Sequence, residues 1–424
     1  MDPKDLLIRS FHAAVAAADP LEILPRHLPV PSPSARTLVV GAGKAGASMA
    51  VAVERHWPAG ASLEGLVITR HGHGLPTKRI EIVEAAHPVP DAAGEAGARE
   101  ILQRVRSLGR DDLLLALISG GGSSLLSLPA DGVGMDALKA TTRELLRSGA
   151  PIQEINTVRK HLSAIQGGRL AGACRAPVLA LIISDVTGDD PTHIASGPCA
   201  PDPTTYADAL AVLQRYRVEA SPVVLEHLRR GARGEVPETP KPGDKLFSRV
   251  ENRVIATAQQ ALSAAEVFFR SRGIQTWNLG DLITGEASEV ARAQEALVRR
   301  IVRHGEPVKP PVALISGGEC TVTVRGGGRG GRCTEFLLSL AVALDGLANV
   351  HAIACDTDGV DGSEDNAGAV LLPDSLSRAA GHELNAGGLL ADNDAYGFFS
   401  ALGDLVVTGP TRTNVNDYRA ILIA

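Results

Sequence analysis

The chain has 424 residues, 44% hydrophobic and 21% charged, with a formal net charge of −6, the balance of a soluble globular protein of two or three domains. A net negative charge and only 3% aromatic residues exclude the basic footprint and stacking platforms of a nucleic-acid binder. Five cysteines without Cys-x-x-Cys spacing fit a reducing compartment, and no apolar run reaches the roughly 18 residues of a membrane span.

The N-terminal stretch MDPKDLLIRSFHAAVAAADP is amphipathic and carries acids. It lacks the unbroken apolar core of a signal peptide, so a cytoplasmic protein is expected. Strand-like runs then occur at 37–40, 65–69, 113–118, 178–183, 252–257, 312–315, 350–354 and 404–407. Several are apolar throughout, as expected when helices cover both faces of a parallel sheet. Helical patterns follow many of them, among them ASMAVAVERHW, AGEAGAREILQRVRSL and EASEVARAQEALVRRIVRHG. The alternation is an α/β order. GARGEVPETPKPGDK (231–245) interrupts it with prolines and glycines and predicts a domain junction, dividing the chain into 1–235 and 236–424. A long surface loop inside one domain is the alternative. The two halves echo each other, LISGGG (117–122) with LISGGE (314–319).

The loops after these strands carry the chemistry, because ligands of open α/β sheets bind at the carboxyl ends of strands. Gly41-Ala42-Gly43-Lys44-Ala45-Gly46 opens a helix. Its glycines let backbone N–H groups approach an anion, and Lys44 adds a mobile charge. The next strand ends Ile68-Thr69-Arg70, without the acid that binds a ribose in dinucleotide folds; Arg70 could instead meet an NADP 2′-phosphate. Ser119-Gly120-Gly121-Gly122-Ser123-Ser124 reads as an anion nest. NTVRKHLSAIQGGRLA (156–171) reads as a helix ending at Gly167-Gly168, with Asn156, Lys160 and Ser163 on one face; a solvated basic face is the alternative. Asp185, Asp189 and Asp190 in one loop, and Asp356, Asp358 and Asp361 in another, suit Mg²⁺ or a general base. In TVTVRGGGRGGRCTEF, Arg325, Arg329 and Arg332 sit in a flexible frame suited to bidentate contacts with phosphoryl oxygens. Together these parts are the equipment of phosphoryl transfer.

VVGAGKAGASM, HPVPDAAG, LISGGGSSLL, NTVRKHLSAIQGGRLA, SDVTGDDPTHIASGPCAPDPTTY, ISGGECTVTVRGGGRGGR, DTDGVDG and TGPTRTNVNDY resemble the class II glycerate 2-kinases over essentially the whole chain. The resemblance implies a Rossmann-like large domain and a smaller α/β domain of MOFRL type, facing each other across a cleft. It implies ATP-dependent phosphorylation of D-glycerate at the 2-hydroxyl with a divalent metal such as Mg²⁺. By position Lys44 and Arg325 match the family's two phosphoryl-transfer cations. The departure is Cys333-Thr334-Glu335, where the family usually shows an Asn-Gln-Glu-like helix start. The expected roles are therefore catalytic for Lys44, Arg325 and Asp189. Gly43, Ser119, Gly120, Gly121, Gly122, Ser123, Ser124, Asn156 and Lys160 are expected to bind substrate or phosphate. Asp189, Asp190 and Asp358 are the metal candidates. Partners are expected to be small molecules, not nucleic acid or membrane, with a homodimer left open. The rival readings are an NAD(P)H-dependent hydroxypyruvate reductase and a nucleotide sensor without turnover.

Overall fold

The computed structural model describes residues 2–32 and 34–424. They form two compact units, one of residues 20–255 and one that joins the residues through Asp19 to 256–424.

The first unit is built on strands β1 (Thr37–Ala42), β2 (Glu64–Arg70), β3 (Ile80–Ala85), β4 (Leu113–Ile118), β5 (Val178–Ile183) and β6 (Val250–Ala256), in the spatial order β3-β2-β1-β4-β5-β6. The pairings from β3 through β5 are parallel. This is the doubly wound order of the Rossmann fold, with its switch point between β1 and β4. All of β1 and β5 is buried, which is why these strands read as unbroken apolar runs. Leu38, Val40 and Ile68 share a core with Ile101 and Val105 of the helix Ala92–Arg106. A second core, including Leu138, Val158, Tyr206 and Leu228, lies under the helices Met135–Arg147, Ile152–His161, Tyr206–Arg215 and Pro222–Ala232.

The second unit contains β7 (Gln275–Asn278), β8 (Gly285–Glu286), β9 (Val312–Ser316), β10 (Cys320–Thr321), β11 (Val350–Asp356), β12 (Gly368–Leu371), β13 (Leu405–Val406) and β14 (Asp417–Ile423). Its main sheet runs β13-β12-β11-β14-β9-β7, antiparallel except for β7 against β9. The helix Pro3–Ala16 belongs here. Its Leu7, Phe11 and Ala14 are buried, and Tyr418 donates to Ser10 Oγ at 2.8 Å. No helix among the described residues is long and apolar enough to cross a membrane.

Two features differ from the expectation. The proline-rich stretch 231–245 lies inside the first unit, and the chain leaves that unit at 255/256 instead of 235/236. Residues 236–255 stay because they are bonded there: Asp202 N–H donates to Pro240 O (2.8 Å), Arg249 to Cys174 O (2.6 Å) and Asn252 to Cys199 O (3.0 Å). The helix read through Asn156 stops at His161. Beyond it the backbone pairs elsewhere, Ala164 N–H with Leu128 O and Ala130 N–H with Leu162 O, each at 2.8 Å. Ser163 is therefore off the helix that carries Asn156 and Lys160.

Candidate active site

β1 and β4 run in register, Ala42 against Ile118, so the loops leaving their carboxyl ends emerge together at the switch point. They interlock. Lys44 N–H donates to Gly120 O at 2.8 Å, and Ala45 N–H to Ser119 Oγ at 3.1 Å. Gly43 has φ +143, and a Cβ there would lie 2.0 Å from Ser119 Oγ. Close approach of the two loops thus requires glycine at this position, with or without a dinucleotide.

Gly121, at φ +79, turns the second loop into the short helix Gly122–Leu125. Where its side chain would be, the His87 ring comes within 3.0 Å and Lys44 Cγ within 3.4 Å. Gly120 and Gly121 donate their backbone N–H to no described residue. Lys44 therefore lies beside two unused donors, which together make a cradle for an anion.

The other wall is strained. Ala195 and Ser196 have φ +50 and +59, costing roughly 1–2 kcal/mol each for residues with a Cβ. A Cβ on Gly122 would lie 2.6 Å from that of Ala195, so the strained turn packs directly on the cradle. The strain is matched by bonds: Ser196 Oγ meets Ser123 Oγ at 2.9 Å and donates to Asn156 Oδ1 at 3.3 Å. Arg159 donates to the same amide oxygen at 3.4 Å. Such strain concentrates at functional sites.

The expected residues are thus partly assembled. Gly43, Lys44, the loop from Ser119 to Ser124 and Asn156 come together. Lys160 instead turns to Asp202, with Nζ 3.4 Å from Oδ1 and 1% of the residue exposed. Burial lowers its pKa, against the charges of Asp202 and Asp190. Asp189 and Asp190 lie in the loop after β5, at the same sheet edge. Asp189 has φ +55. Asp190 is exposed, and one oxygen accepts Thr192 N–H at 2.8 Å. Burial works to raise its pKa, but the Thr192 bonds and the charges of His193 and Lys160 hold it below the ordinary value. Among the described residues no three or more His, Cys, Asp or Glu side chains are grouped to hold a metal. His87, Ser196 and Gln166 were not foreseen; Gln166 Nε2 donates to Ser123 O at 2.7 Å. Only their places inside the family-like stretches pointed to them.

The chain matches a "Domain of unknown function (DUF4147)" over residues 6–229 and the "MOFRL family" over residues 312–417. It is 39% identical over 385 residues to a protein of Thermotoga maritima named "D-glycerate 2-kinase", covering 90% of this chain and 89% of that one. The chain belongs to the glycerate kinase family. A crystal structure of glycerate kinase from Thermotoga maritima superposes with a TM-score of 0.88 at 37% identity, covering 99% of each chain. A protein of Agrobacterium vitis, 49% identical over 423 residues with 99% of this chain and 94% of its own length covered, carries the name "Putative hydroxypyruvate reductase".

In this glycerate kinase family member the segment bearing Arg325 is not the flexible frame expected. Arg325 and Gly326 donate their N–H groups to Asn393 Oδ1 (2.7 and 3.1 Å), Gly327 to Asp392 Oδ1 (3.0 Å) and Arg329 to Asp394 Oδ1 (3.1 Å). The turn 392–394 thus pins the glycine loop, while Arg325 itself is exposed. The acids of the second cluster have structural partners. Asp361 accepts the N–H groups of Cys333 (3.0 Å) and Thr334 (2.8 Å) and so caps the helix Arg332–Leu344. Asp356 accepts from Arg332 at 2.7 Å. Asp358 is buried and accepts Val360 N–H at 2.8 Å.

Glu335 sits behind the same loop, within 3.4 Å of Asn393 Nδ2. Burial, then the Glu286 charge, push its carboxyl from 4.5 to about 7, against the Asn393 bond. The folded state therefore holds a proton that the unfolded chain releases. Stability is complete below 4.5 and falls as pH rises to about 7, at most by about 1.4 kcal/mol per pH unit. Glu335→Gln should flatten this decline. Urea midpoints of the two proteins between pH 4.5 and 8 that fall in parallel would rule it out.

Proposed function

We propose that this protein transfers the γ-phosphoryl group of ATP to the 2-hydroxyl of D-glycerate, giving 2-phosphoglycerate and ADP. The observation that carries the reading is the cradle at the β1/β4 switch point, where Lys44 lies beside the unused N–H groups of Gly120 and Gly121. A phosphoryl group gathers charge on its oxygens during transfer, and fixed donors and a cation at that point lower the barrier. The end of β2 at Arg70, with no carboxylate for a ribose, weighs the same loop away from a dinucleotide.

In this mechanism the glycerate hydroxyl oxygen attacks the γ-phosphorus. A new P–O bond forms as the bond to the bridging oxygen of ADP breaks, and ADP leaves with that electron pair. Asp189 orients the hydroxyl and accepts its proton. Lys44 holds the phosphoryl oxygens, and Arg325 is the second cation assigned to them. Mg²⁺ takes one or two carboxylates and completes its shell from phosphates and water, and Asp190, the carboxylate of this pair that does not take the proton, suits it. A bound Mg²⁺ would neutralise phosphate charge.

The name of the Agrobacterium vitis relative favours a second reading, NAD(P)H-dependent reduction of hydroxypyruvate. One pair of assays separates them. With D-glycerate, ATP and Mg²⁺ the purified protein should release ADP, and phosphorus NMR should identify the 2-phosphate. Oxidation of NADPH by hydroxypyruvate, with no ADP from glycerate, would overturn the kinase reading.

A further inference from the structure

A cavity of about 120 Å³ adjoins the cradle within the first unit. One wall is Pro88-Val89-Pro90, directly after the His87 that packs on Gly121. The facing wall is the helix Met135–Arg147, through Leu138, Thr142 and Leu146. At the inner edge is Gln166. Its Nε2 donates to Ser123 O (2.7 Å) and Leu126 O (3.2 Å), which fixes the amide orientation and leaves Oε1 as an acceptor with no described partner.

The charges around it have one sign. Lys139, Arg143 and Arg159 line the cavity, and no aspartate or glutamate does. None of the three pairs with a carboxylate among the described residues. Burial alone pulls the Arg159 guanidinium down to about 10, the mark of a cation short of an anion. The same Arg159 bonds Asn156, which reaches the cradle through Ser196.

We infer that this cavity receives the adenine ring of a nucleotide, with its ribose at the mouth and its phosphates running past the three cations toward the loop 119–124. The inference rests on the kinase reading for the choice of ATP over NADPH, which share the adenine and the phosphates. A flat apolar ring matches the proline and leucine walls, and its exocyclic amine matches the Gln166 oxygen. Glycerate, three carbons each bearing oxygen, has no apolar face to place there.

The test measures binding by calorimetry for ATP, NADPH and inorganic tripolyphosphate. Thr142→Trp fills the cavity and should weaken ATP by about tenfold or more while leaving tripolyphosphate unchanged. Lys139→Glu with Arg143→Glu should weaken both ligands. Unchanged ATP affinity in Thr142→Trp, in a wild-type protein that releases ADP with glycerate, overturns the cavity assignment and leaves the kinase reading standing. NADPH binding that Thr142→Trp abolishes, with no ADP from glycerate, overturns the kinase reading and keeps the cavity. Should Thr142→Trp not fold, photolabelling of the wild type with 8-azido-ATP decides. Label on peptides holding 88–90 or 138–146 supports the assignment, and label confined to other peptides refutes it.

Discussion

Lys44→Ala should lower kcat for glycerate phosphorylation by about 10²-fold or more, the usual cost of removing a group that stabilises transition-state charge. The reason is local. The Lys44 backbone is held by Gly120, and its chain runs over Gly121, so no other side chain of the loop can bring a cation to the two unused N–H groups. The half-buried chain contributes little to a core, and the melting temperature should change little. The effect should fall on kcat more than on the KM for glycerate, since the charge is gathered during transfer. If Arg325 is the second cation of the proposed transfer, Arg325→Ala should lower kcat to a similar degree, with its loop kept in place by backbone bonds that the substitution leaves intact. An ADP-coupled assay reads both. Near-normal kcat in the two variants would remove these residues from the chemistry.

The eight strand-like runs read from the sequence all correspond to strands, and those buried throughout, such as β1 and β5, are continuous in apolar residues because both faces are covered. Two of the strands not read lack such a run. IEIVEA of β3 turns Glu81 and Glu84 into solvent at the sheet edge. DYRAILI of β14 is buried throughout, yet begins with two charged residues among its first three; only the tertiary structure pairs Asp417 with Arg419, at 2.8 Å. The same division holds at the candidate site. Glycines and serines after strands mark tight loops at the sheet edge, so the meeting of Gly43 with the segment from Ser119 to Ser124 was legible. His87, Ser196 and the turn 392–394 act through contacts between distant segments, and no local pattern encodes those. Lys160 shows the limit from the other side: a basic residue on a polar helix face read as ligand-binding or solvated, yet it is buried against an aspartate 42 residues away.

The largest loss of stability should come from Arg332. This residue opens the helix Arg332–Leu344 and ties it to two strands, donating at 2.7 Å to Asp417 on β14 and at 2.7 Å to Asp356 on β11. The two carboxylates face each other in the sheet register, and their side chains are 0% and 3% exposed. Arg419 satisfies the second oxygen of Asp417 but makes no ion pair with Asp356 among those described. Removing Arg332 therefore takes away a cation bonded to both buried carboxylates, and losing one partner of a buried ion pair costs about 3–5 kcal/mol. Arg332→Met keeps the apolar stem and should lose nearly as much as Arg332→Ala, because the missing charge dominates. Arg325→Ala, at an exposed position, should stay within about 0.5 kcal/mol of wild type. The two tryptophans let each unit be followed alone, since Trp57 lies in the first unit and Trp277 in the second. In a Trp57→Phe background the urea midpoint reported by Trp277 should fall sharply on Arg332→Met. In a Trp277→Phe background the midpoint reported by Trp57 should move far less. Equal shifts of both would mean that the charge cluster stabilises the whole chain as one cooperative body, and no shift in either would remove it as a determinant of stability.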